Sequence, residues 1–259
     1  METKKRVKFG KSPLVEVILQ LRFPTILSIN SKEPEEFQEK IRKNFPIYHC
    51  AIEQQQEVLI KPDGSQEIVK RANNKNYHFV SRDGLWKINI TSSFISISTV
   101  KYTVWEDMKD RFGEPLNEFV RIYSPAFYSR IGLRYIDAIT KDFLGLEQYE
   151  WSDLLQPHII GTMSVHSEKE IKSYSMNTEY KIDGDNCWAK MSTGLGLING
   201  MENDRNAPAF IIDCDYYKIG NTSLENYCST VEKLHDASTA FILSAIKDVL
   251  RDAMEPEDI

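Results

Sequence analysis

Three arginines are the residues most able to do chemistry in this chain: Arg22, Arg130 and Arg134, each set in a run of alternating apolar side chains. A guanidinium is planar and permanently charged, and its donor fork fits a carboxylate or phosphate with two parallel bonds. In half-buried strands such groups either hold an anionic ligand or pair with acids of their own strands, here Glu16 and Asp137. Other candidates are less complete. His235 and Asp236 are neighbours in an expected helix, where successive side chains diverge by about 100°, so they form no direct dyad. His49, His78, His158 and His166 fall in or beside expected strands without His-x-His or His-Glu-x-x-His spacing, so no metal site is expected. Gly194-Leu-Gly196-Leu-Ile-Asn-Gly200 lacks both the third glycine of a dinucleotide loop and a following Gly-Lys-Ser/Thr. It is read as a strand running out into a loop, and no cofactor is expected. Cys50, Cys187, Cys214 and Cys228 show no Cys-x-x-Cys pair and are read as reduced, mostly buried thiols. No Gly-x-Ser-x-Gly elbow occurs, and no catalytic residue is assigned.

The elements that must carry these residues follow from periodicity. Val15, Val17, Leu19, Leu21 and Phe23 alternate with Glu16, Gln20 and Arg22, a half-buried strand stopped by Pro24. Phe37, Ile41 and Phe45 recur at helical spacing after Pro34. Strand-like runs follow at 50–60, 67–71, 76–81, 86–91 and 94–100, with Pro62-Asp63-Gly64 and Arg82-Asp83-Gly84 as hairpin turns. Thr103-Val-Trp-Glu106 has the form of a capping box for a helix that Pro115 should kink or split. The order then restarts: a strand over 128–139, a helical stretch over 146–155, and strand-like runs at 158–166, 174–182, 187–193 and 210–218. A second capping box, Thr222-Ser-Leu-Glu225, opens a long closing helix that carries Val249 inward. Leu19-Gln-Leu-Arg-Phe23 is echoed by Ile131-Gly-Leu-Arg-Tyr135. The expected fold is α+β, with two similar strand–helix–antiparallel meander–helix halves, 1–124 and 125–259, fused into one body with the two first strands adjacent.

Charge and composition narrow the function classes. Thirty-two Lys and Arg against 38 Asp and Glu leave a net charge of −6, too acidic for a dedicated duplex-DNA binder. The basic segment at Lys4, Lys5, Arg6, Lys8 and Lys11 reads as a solvated terminus, and strand aromatics such as Tyr77, Phe79, Trp86 and Phe94 as core. No stretch is apolar enough to span a membrane, and no signal peptide is recognised. A cytoplasmic protein is expected.

Three strings, Pro13-Leu-Val-Glu-Val-Ile-Leu-Gln-Leu-Arg-Phe23, Arg130-Ile-Gly-Leu-Arg-Tyr-Ile-Asp137 and Leu234-His-Asp-Ala237 with Phe241, resemble in order and spacing a sporadically distributed bacterial family of about this length. The resemblance covers nearly the whole chain, and Arg-Ile-Gly-Leu-Arg-Tyr is its most distinctive part. That family carries no assigned reaction, so the resemblance implies no catalytic residues. Its patchy occurrence implies a place among phage-defence or toxin–antitoxin systems. The resulting expectation is a non-enzymatic binding component that recognises a protein partner or a small anionic ligand through Arg22, Arg130 and Arg134. The alternative is a nucleotide- or nucleic-acid-processing enzyme whose Cys–His or carboxylate site is built between the halves. A third reading is an oligomerising subunit, that is, a homo-oligomer.

Overall fold

The computed structural model describes residues 7–53, 56–60, 66–70, 74–182, 185–198 and 207–258. In chain order the strands are β1 (Val7–Phe9), β2 (Leu14–Arg22), β3 (Ile47–Glu53), β4 (Gln56–Ile60), β5 (Gln66–Lys70), β6 (Asn74–Val80), β7 (Trp86–Ile90), β8 (Phe94–Thr99), β9 (Tyr128–Ile139), β10 (Ser175–Lys181), β11 (Cys187–Ile198), β12 (Ala207–Thr222) and β13 (Pro256–Asp258). The helices are α1 (Leu27–Ser31), α2 (Glu35–Ile41), α3 (Trp105–Tyr123), α4 (Lys141–Leu144), α5 (Trp151–Leu154), α6 (Pro157–Ile160), α7 (Tyr227–Ala245) and α8 (Asp248–Ala253). The fold is α+β.

One nine-stranded antiparallel sheet organises the chain, in the order β10-β11-β12-β9-β2-β8-β7-β6-β3. β2 and β9 lie side by side at its centre, with Gln20 opposite Gly132 and Leu19 opposite Leu133. From each of these strands the chain passes through helices to the far edge of its own side and then returns strand by strand to the centre. The route is the same on both sides, but four strands flank β2 and three flank β9, so the likeness is one of topology.

Strict alternation gives this sheet two unlike faces. Val17, Leu19, Leu21, Ile131, Leu133, Phe210, Ile212 and Tyr216 point to the face on which the helices pack, and all are buried. Ring contacts tie helices to strands there: Phe37 of α2 lies 5.4 Å from Phe79, and Phe241 of α7 lies 6.4 Å from Tyr216. Such contacts add to area burial through edge-to-face geometry. The opposite face carries Arg22, Arg130, Arg134, Asp213 and Asp215. A separate two-stranded ladder joins β1 to β13, with Phe9 opposite Pro256, and is extended by Gly10 N donating to Glu255 O at 2.9 Å.

Several local expectations need correction. α3 runs unbroken through Pro115, because only the residue one turn upstream loses a backbone bond and the fully buried Met108, Phe112, Leu116 and Phe119 stripe clamps both sides. Neither Thr103 nor Thr222 caps a helix; α3 is preceded by extended Val104, and a 3-10 turn over Leu224–Asn226 comes before α7. The run 158–166 is helical turn rather than strand, since Pro157 sets the first-turn geometry. The helical stretch 146–155 shrinks to α5, which has a true capping box from Glu150 and Asp153. The closing helix stops at Ala245, where extended Ile246 bridges to Leu155, and Val249 lies exposed in α8. The run 50–60 is divided between β3 and β4. The Pro62-Asp63-Gly64 turn lies outside the described residues. The Arg82-Asp83-Gly84 turn forms with Gly84 at φ +74°, the left-handed region glycine tolerates.

Candidate functional site

The three arginines do converge. β2 and β9 place Arg22 directly opposite Arg130, and Arg134 lies four residues further along β9 on the same face. Their partners come from the strand-like run 210–218, which the sequence did not set beside β9. Arg134 forms a two-pronged bridge to Asp213 of β12, Nε to Oδ1 at 2.7 Å and Nη2 to Oδ2 at 2.5 Å. Arg130 Nη2 donates to Asp215 Oδ2 at 2.6 Å, with its guanidinium 4.6 Å from the centre of the Tyr217 ring. Gly132 makes this possible: a Cβ there would lie 2.2 Å from Arg130 Nη1, so only glycine lets the side chain lie flat across the strand. The expected pairing with Glu16 or Asp137 does not form. Asp137 projects from the opposite side of β9, and Arg134 spends its fork on Asp213.

These pairs have visible electrostatic effects. The bonds that Arg134 donates to Asp213 hold the guanidinium above its usual value, whereas burial raises Asp215 despite the opposing pull of Arg130. Arg22 differs. Its Nε donates to Gln20 at 2.8 Å, and among the described residues no carboxylate lies within ion-pair distance. Burial and the neighbouring Arg130 charge lower its value.

A second arrangement lies on the helix face and was missed by sequence reasoning. Between the sheet, the start of α3, α7 and the β1–β13 ladder is a cavity of about 130 Å³. Its wall includes Tyr102, Trp105, Tyr135, Tyr216, Phe241 and Ile242, and the exposed lining residues Thr103, Glu106 and Leu243 mark its mouth. Asp137 is placed there by the phase of β9 and by an irregularity where β2 begins: the ladder skips Val15, so Leu14 sits opposite Asp137 and Glu16 opposite Ile136. Bulges of this kind re-aim side chains near sites. Asp137 is 6% exposed, and among the described residues its carboxyl receives no hydrogen bond and forms no ion pair. Burial alone pushes it from 3.8 up to about 7.

Its surroundings are aromatic and otherwise satisfied. Tyr135 OH and His235 Nδ1 lie 2.9 Å apart, and the His235 ring stacks on Trp105 at 4.7 Å. His235 is held by Tyr135 and Trp105. Among the described residues the buried Trp105 Nε1 has no acceptor. Cys214 lines the same wall, but burial pushes its thiol up to about 12, so little thiolate exists at neutral pH.

Other candidates disperse. Among the described residues no three His, Cys, Asp or Glu side chains gather in a metal-binding group. Gly194 and Gly196 lie inside β11, where a Cβ would meet Tyr174 O at 2.7 Å and Ile211 Cδ1 at 2.5 Å; Gly200 lies outside the described residues. Their role is close packing in a sheet. Cys187 and Cys214 are buried and Cys50 and Cys228 exposed, so half of the thiols expected inside are at the surface. Tyr77, Phe79 and Trp86 are core, as read, whereas Phe94 is only half-buried. No helix of the described residues is long and apolar enough to cross a membrane. No family model matches the chain, and no curated protein gives a significant match.

Proposed function

We propose that this chain is a non-enzymatic binding protein that encloses one small organic molecule in the cavity between its sheet and α7. The observation that carries this reading is the cavity itself, of about 130 Å³, largely aromatic and aliphatic in its lining and open at one rim. Ligand sites are typically apolar concavities with few convergent polar groups. A catalytic reading has less support, because the Cys214 thiol is pushed up to about 12 and the His235 nitrogen facing Tyr135 is engaged. The test is methyl NMR of the chain titrated with benzyl alcohol. Saturable shifts confined to Ile212, Ile242 and Met254, lost in Thr239→Phe, support the reading; shifts spread over the surface and unaltered by Thr239→Phe refute it.

A second reading concerns the arginines. Like charges directly opposed across a ladder destabilise it, and Arg22 and Arg130 are so opposed. A small anion seated between them would relieve the repulsion, as in the anionic-ligand expectation. Phosphate titration of the wild-type chain and of Arg22→Glu tests this; equal binding by both removes it.

A further inference from the structure

We propose that the cavity selects a small organic ammonium ion, whose charge is held by Asp137 and by the surrounding aromatic faces. This deepens the binding-protein reading and rests on it. A carboxylate largely withdrawn from water with no protein donor beside it is poorly stabilised, and Asp137, 6% exposed on the cavity wall, is in that position among the described residues. Such a group needs either a proton or a cation. Among the described residues Lys8 is the one Lys or Arg of the wall, and the Lys8 ammonium sits 3.7 Å from Glu257. What the wall does offer is π-face. Tyr102, Trp105, Tyr135, Tyr216 and Phe241 all line it, and the negative faces of aromatic rings attract cations, most strongly where water is excluded.

Other ionisable groups surround the cavity. Glu106 at the mouth stands 4.0 Å from the Lys109 ammonium. Tyr135 and Tyr216 are raised by burial and stay neutral, as does the Cys214 thiol. On α7 His235 is bonded to Tyr135. A ligand carrying a carboxylate would meet the Asp137 carboxyl on the cavity wall. Size sets the rest. An apolar protein cavity of about 150 Å³ accepts benzene, so about 130 Å³ suits one six-membered ring, the open rim giving room for a short side arm. Because the ammonium binds the ionised carboxylate, its uptake expels the proton that burial otherwise holds on Asp137 near neutrality.

The experiment is isothermal titration of the full chain with three probes of matched ring and length: benzylamine, benzyl alcohol and benzoate. At pH 8 benzylamine, protonated in solution, should bind at least about tenfold tighter than benzyl alcohol, with benzoate weakest. In Asp137→Asn the amine and the alcohol should differ by no more than about twofold, with the alcohol still bound. In the wild-type chain the amine should lose about tenfold in affinity between pH 8 and pH 6, as Asp137 takes up its proton, while the alcohol holds steady. Equal binding of amine and alcohol, or a preference for benzoate, overturns the ammonium assignment and leaves the binding cavity standing. Failure of all three probes to bind overturns both. If Asp137→Asn does not fold, the probe ratio and the pH profile of the wild-type chain decide between these outcomes.

Discussion

Replacing Asp137 by Asn keeps the shape of the side chain and removes its titration, and the consequence for stability can be worked from the structure. In the unfolded chain the carboxyl titrates near 3.8, and burial moves it to about 7 in the fold. Between those values the folded protein holds a proton that the unfolded chain has released, so stability falls as pH rises through this window. The stabilisation is complete below about pH 4, declines by about 1.4 kcal/mol per pH unit, and is gone above about pH 7. About three units give about 4 kcal/mol, against a typical total of about 5–15 kcal/mol. Asparagine contributes no such slope. The variant should therefore match the wild type near pH 4, apart from a constant packing offset, and exceed it by about 4 kcal/mol near pH 8. Urea unfolding followed by tryptophan fluorescence, at constant ionic strength across that range, measures the difference. Every carboxylate shared by the two proteins cancels. A difference that does not change with pH, or a wild type that gains on the variant as pH rises, would refute the assignment of Asp137 as an unpartnered buried acid.

Two further outcomes follow from the geometry. Under native conditions a thiol reagent should modify Cys50 and Cys228 quickly and leave Cys187 and Cys214 until the chain unfolds; mass spectrometry of partly labelled protein checks this, and early labelling of Cys214 would contradict its burial. Gly132→Ala should force the Arg130 guanidinium from its place above Tyr217 and away from Asp215, costing about 1–2 kcal/mol. Most of that cost should vanish in an Arg130→Ala background, and a double-mutant cycle showing simple additivity would mean that the clash is not what glycine avoids.

The sequence was most informative where side chains alternate. β9 is recovered residue for residue because Ile131, Leu133 and Tyr135 interleave with Arg130, Gly132 and Arg134, and the same phase separates a helix-clad face from a polar one. It was least informative where tertiary contacts override local signals. Thr103 and Thr222 look like caps, yet the chain enters α3 and α7 from positions fixed by packing, so neither hydroxyl is used. The site divides in the same way. The arginines could be picked out because charge in an apolar strand is conspicuous, but their partners Asp213 and Asp215 come from a strand about 80 residues away that only the sheet order brings alongside. Asp137 carried a legible signal that charge complementarity obscured: it occupies the inward phase of its strand, where an arginine of the outward phase cannot reach it. Nothing in the sequence announces the rest of the cavity, because its wall is drawn from both ends of the chain, the α3 entry and α7.

The shared ladder between β2 and β9 also bears on how the protein is made. β2 is synthesised more than a hundred residues before β9, and until then the emerging meander has a bare inner border rich in Val, Ile and Leu. Such a border is a template for any passing strand, and pairings this distant in sequence form slowly. During that interval the half-made protein is a natural client for a chaperone. At high expression a second molecule can lend its own β9 instead, so strand exchange is the misassembly this topology invites. Slowing translation once β9 has left the ribosome should favour pairing of β2 with β9 of the same chain over the exchanged pair.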